Sequence, residues 1–119
     1  MARCMLVVLL LASGLAIAQP SASTTQEITQ LFAALETSGC RFQRNGSWHE
    51  APEAKAHLQR KYDYLLKKRQ ITTTESFIDL AASRSSVSGR AYHVQCGQSA
   101  PVDSAAWFSG RLQGIRAGR

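Results

Sequence analysis

Acidic residues are scarce in this chain. Eight Asp and Glu stand against fourteen Lys and Arg, for a formal net charge of +6. A mildly basic balance fits either a solvated surface or an anionic partner such as lipid headgroups or a cell-wall polymer. No basic–aromatic repeat accompanies the charge, which argues against nucleic acid. Cysteine is also sparse, with three in all. His49, His57 and His93 are spread over separate segments, and no H-x-x-x-H or H-E-x-x-H pair occurs, so no metal site is expected. No cofactor motif is evident, and the G-x-S-x-G elbow of serine hydrolases is missing. Beyond the first residues no stretch is apolar enough to span a bilayer.

The one long apolar run is N-terminal. Arg3 precedes Met5–Leu15, and Ala16-Ile17-Ala18 forms a small-x-small pattern. This is the layout of a cleaved signal peptide over residues 1–18, with cleavage before Gln19. Cys4 precedes the apolar run, which excludes a lipoprotein anchor. The expected product is a single exported domain over residues 19–119, periplasmic or secreted. It retains two cysteines, Cys40 and Cys96. In an oxidising compartment these are expected to pair. The loop so closed is about 57 residues, for about 4 kcal/mol by chain entropy. Two free buried thiols are the alternative.

Helical periodicity is clear in three places. Ile28, Leu31, Phe32 and Leu35 make one apolar face of a helix over Thr24–Ser38, with Thr24 and Glu27 as a capping box. Pro52 opens a second helix that runs to about Arg69, with Ala54, Leu58, Tyr62 and Leu65 facing inward. Asp103 is placed to cap a last helix carrying Phe108, Leu112 and Ile115. Between the first two helices, Cys40–Arg44 reads as a strand. Asn45-Gly46 is a strong hairpin signal leading to a short return strand, Ser47–His49, with an irregular loop as the alternative because that strand is so short. Thr72 and Glu75 offer a capping box for a third helix ending by Ser85, and Ala91–Cys96 reads as a strand. The fold class is therefore α+β: about four helices packed on a small two- or three-stranded sheet, with one disulfide.

Candidate chemistry gathers around the second helix and the serine-rich corner. Glu53, His57 and Lys61 are spaced i, i+4, i+8, so Glu53 could orient the His57 imidazole. Ser83, Ser85, Ser86 and Ser88 crowd the corner before Gly89 and Arg90. A hydrolase would use His57 as base for one corner serine. A binding module asks less: Arg44, His57, Lys61, Ser83, Ser85, Ser88, Arg90 and Tyr92 would converge on an anionic or sugar-like group. Arg44 could equally pair internally with Glu53 or Asp79.

Several segments carry a resemblance. They are Phe42-Gln43-Arg44-Asn45-Gly46, Glu53-Ala54 with His57-Leu58 and Lys61, Thr74-Glu75-Ser76-Phe77-Ile78, and Ala82-Ser83-Arg84-Ser85-Ser86 with Ser88-Gly89 and Tyr92. In order and spacing the chain resembles the YfeK-like family of small bacterial periplasmic proteins of unknown function. The resemblance implies a periplasmic, proteobacterial protein and supplies no activity or site residues to carry over. Separately, Ser88-Gly89-Arg90-Ala91-Tyr92 looks like the short S-G-x-x-Y loop with which periplasmic lysozyme inhibitors enter the lysozyme cleft. Those inhibitors are rich in β-structure, whereas this chain reads as mostly helical. The leading expectation is a non-enzymatic binding or interaction module for an anionic or sugar-like envelope component. A small hydrolase and an inhibitor are the alternatives.

Overall fold

A computed structural model describes residues 19–119. The expected signal peptide, Cys4 included, lies outside the described residues. The first helix, α1 (Ala22–Thr37), buries Ile28, Leu31, Phe32 and Leu35 as its periodicity requires. Its cap is Ser21, whose side chain accepts from the Thr24 amide, not the expected Thr24. Glu27 is thereby released from capping and is itself buried. Gly39, at φ +69°, turns the chain into β1 (Arg41–Arg44). Asn45 and Gly46, at φ 51° and 83°, then form the tight turn to β2 (Ser47–Glu50).

The second helix, α2 (Ala51–Lys67), carries Pro52 in its first turn and buries Ala54, Leu58 and Tyr62. The third begins one residue later than its sequence signal. Thr73 is the cap of α3 (Thr74–Phe77), and Ser76 completes the reciprocal box in place of Glu75. The helix continues as a π-helix over Ile78–Ala82 and stops there. A hairpin-like corner follows. Ser85 donates its amide to the Arg90 carbonyl (2.9 Å), and Tyr92 donates to the Ser83 carbonyl (2.9 Å).

The strands β3 (His93–Gln95) and β4 (Val102–Asp103) complete a sheet of order β2-β1-β3-β4, antiparallel throughout. Four strands replace the expected two or three. The addition is β4, two residues too short to leave an alternating pattern. The last helix, α4 (Ser104–Ala117), buries Phe108 and Leu112. Asp103 precedes it without a side-chain cap, because its carboxylate lies 3.2 Å from His93 Nε2.

Phe77 stands at the centre of the core, edge-on to Phe32 (5.2 Å between ring centroids), Tyr62 (5.5 Å) and Phe108 (6.3 Å). Such edge-to-face contacts add about 0.5–1.5 kcal/mol each beyond burial. Cys40 and Cys96 are disulfide-bonded. They lie one residue beyond the Arg41–Gln95 pair of the β1–β3 ladder, where antiparallel register brings them face to face.

Candidate functional site

The site grows from one buried phenol. Tyr92 enters the core just before β3 and is 1% exposed. Its ring packs on Phe42 of β1 (5.0 Å between centroids). Its hydroxyl therefore needs partners inside the protein, and α2 supplies two. Lys61 Nζ donates to it at 3.1 Å, and His57 Nε2 lies 3.3 Å away. The same ammonium donates to the Arg84 carbonyl at 2.9 Å and sits 4.8 Å from the Tyr92 ring centroid. Lys61 thus ties α2 to the corner. A lysine ammonium has only protons to give. The Tyr92 oxygen accepts from Lys61 and lies within hydrogen-bond reach of His57 Nε2.

Electrostatics agree with that arrangement. Burial, with Arg44, Lys61, Arg60 and His49 nearby, holds His57 down to about 4, so the imidazole is neutral at pH 7. Burial, with Arg44 and Arg84, brings Lys61 down to about 8 from 10.5. Burial also pushes the Tyr92 phenol up. Glu53 does not orient His57, contrary to the helical spacing. Its carboxylate lies 3.0 Å from His49 Nδ1 on the β2 side.

An open groove of about 570 Å³ runs beside this triad. It is lined along α2 by His57, Arg60, Lys61, Tyr64 and Leu65, and closed by Gln70, Leu80 and Ser86. No carboxylate is among these residues. Behind His57 a small cavity of about 40 Å³ holds Arg44, with Phe42, His49, Glu53, Ala54 and Arg60. Among the described residues Arg44 and Arg60 enter no ion pair. The expected internal partners of Arg44 are taken, Glu53 by His49 and Asp79 by Arg84 at 3.5 Å.

The remaining candidates are used in the corner itself. Ser83 donates to the Asp79 carbonyl. Ser85 is buried and accepts from the Val87 and Ser88 amides at 3.2 Å each. Ser88 donates to Asn45 Oδ1 at 2.6 Å, fastening the corner to the β1–β2 turn. The Arg90 guanidinium lies over Gly46 of that turn, away from the groove residues. So the structure joins His57, Lys61 and Tyr92 directly, sets Arg44 behind them, and places Ser83, Ser85, Ser88 and Arg90 in scaffolding. Among the described residues no serine hydroxyl is hydrogen-bonded to His57, although Ser86 shares its groove.

Sequence reasoning passed over Arg60, Tyr64, Leu65, Gln70 and Leu80. A signal existed for two of them: His57, Arg60, Lys61 and Tyr64 follow i, i+3, i+4, i+7 and share one helix face. Nothing comparable marked Leu80, which lies in the π-helix.

No curated protein and no solved structure matches the chain. A family model does, over residues 22–116, from the first residue of α1 to the last turn of α4. The chain belongs to that family, a family of unknown function (DUF5329).

Proposed function

We propose that this protein is a non-enzymatic binding module that holds an anionic group in the α2 groove, and that it acts as an exported, periplasmic protein. The supporting observation is the groove's one-signed lining: Arg60 and Lys61 flank a neutral His57, and no carboxylate is among the lining residues. A half-buried ammonium without a counter-ion is costly, and a bound anion would remove that cost. Of the anionic or sugar-like components considered, the charge favours the anionic. Export rests on the leader pattern, and the periplasmic setting on the YfeK-like resemblance.

Catalysis is less well supported. His57 Nε2 is engaged with the Tyr92 hydroxyl, and the Ser83, Ser85 and Ser88 hydroxyls are engaged in the corner. A lysozyme-inhibiting loop has little support either, because Tyr92 of its S-G-x-x-Y pattern is packed in the core.

The test is a titration with inorganic phosphate at low ionic strength, followed by backbone amide shifts. The expected result is a saturable change confined to residues 57–65 and 80–86, weakened about tenfold in Lys61→Met. Shifts spread evenly over the basic surface would contradict the proposal. So would hydrolysis of an ester, peptide or glycan that His57→Ala abolishes.

A further inference from the structure

The groove is not lined by cations alone. Four large hydrophobic side chains stand exposed among the described residues, and two of them, Tyr64 (61%) and Leu80 (37%), line this one groove. Leu65, packed against the core, continues the same apolar surface. The π-helix contributes to this. Its five residues bury Ile78, Ala81 and Ala82 and leave Leu80 facing the groove. Such π-turns recur at functional sites. The volume, about 570 Å³, falls in the range of roughly 300–1,000 Å³ usual for small-molecule sites.

Building on the anion-binding proposal, we infer that the occupant is a single-chain anionic amphiphile. Its headgroup lies against Lys61 and Arg60, and its chain runs along Leu65, Tyr64 and Leu80. Charge complementarity selects the headgroup, since the lining offers two cations and no acid. The apolar side chains select the tail. A sugar ring would need many converging hydrogen-bond partners, and the Tyr64 hydroxyl, Gln70 and Ser86 are the neutral polar groups available beside His57. A bilayer surface would call for apolar residues on a convex face, whereas these line a recess. The molecule bound is therefore a monomeric amphiphile, whose chain leaves water as its headgroup meets the ammonium.

Three probes separate the contributions: dodecyl phosphate below its micelle-forming concentration, dodecyl maltoside, and inorganic phosphate. Dodecyl phosphate is expected to bind at least about a hundredfold more tightly than inorganic phosphate, since each buried methylene adds to affinity. Leu80→Gln should weaken dodecyl phosphate about tenfold and leave inorganic phosphate unchanged. Lys61→Met should weaken both, with Arg60→Gln, on an exposed side chain, as the substitute if Lys61→Met melts early. The inference is overturned if the chain adds no affinity, if Leu80→Gln has no effect, or if dodecyl maltoside binds as tightly as dodecyl phosphate. Binding only to phosphatidylglycerol vesicles, unaffected by Leu80→Gln, overturns it too. In each of these cases phosphate held at Lys61 would leave the anion-binding proposal standing. Loss of phosphate binding itself would remove both.

Discussion

Glu27 is a buried carboxylate where three helices meet. It accepts from Thr74 Oγ1 at 2.6 Å, from Arg116 Nε at 2.9 Å, and from Arg119. Arg116 reaches on to Glu75 at 2.6 Å, so one guanidinium joins α1, α3 and α4. The Arg116 and Thr74 hydrogen bonds hold the Glu27 carboxyl down to about 2, against the opposing effect of burial. Glu27→Gln is therefore expected to lose about 1–3 kcal/mol at pH 7 by urea unfolding, because the buried Thr74 hydroxyl and the half-exposed Arg116 and Arg119 lose a charged acceptor. The folded-state value is depressed, so this stabilisation is present above the ordinary value of 4.5 and is lost as pH falls through about 2. The two proteins should converge in stability over that window. An unchanged gap at pH 2 would mean that Glu27 acts by shape alone. From local spacing Glu27 looked like a capping residue, three positions after Thr24. Its real partners lie 47 and 89 positions away, beyond anything periodicity can report.

At the level of elements, local signals worked where they were strong. The apolar faces of α1, α2 and α4 follow from 3.6-residue periodicity, and the Asn45-Gly46 turn follows from the positive φ both residues accept. Weak or non-local elements were hidden. Strand β4 has two residues, and it exists because β3 is there to pair with it. The π-helix keeps the composition of an ordinary helix, and only packing reveals its wider turn. The Cys40–Cys96 disulfide was legible by count, and its geometry follows from the β1–β3 register. Closing so long a loop is worth about 4 kcal/mol at most. The double variant Cys40→Ala, Cys96→Ala is expected to show that loss in thermal or denaturant unfolding. Amide exchange should quicken more in β1 and β3 than in α2. Equal loss of protection across all elements would show that the disulfide secures the whole domain rather than the strand pair.

Over the whole molecule, the helix, the corner and the sheet together make the site. His57 and Lys61 were legible as neighbours on α2, and Tyr92 as a residue of the strand expected over Ala91–Cys96. Their convergence was expected as part of a wider set with Arg44, Arg90 and the serines; its narrowing to these three was not legible, because it depends on the corner closing back on α2 through the Arg84 carbonyl. Arg44 on β1, Arg60 and His57 on α2, Arg84 after the π-helix, and the buried Tyr92 hydroxyl surround Lys61, and no carboxylate lines its groove. Burial, with Arg44 and Arg84, lowers Lys61 to about 8. A bound anion favours the charged ammonium and must raise that value. By linkage, affinity is full below about pH 8 and falls as the free protein loses the Lys61 proton above it. The decisive experiment is an NMR titration of the Lys61 side chain with and without saturating dodecyl phosphate. The midpoint should sit near 8 in the free protein and move up toward the ordinary 10.5 in the complex. A midpoint that stays in place with ligand bound would contradict an anion seated against Lys61.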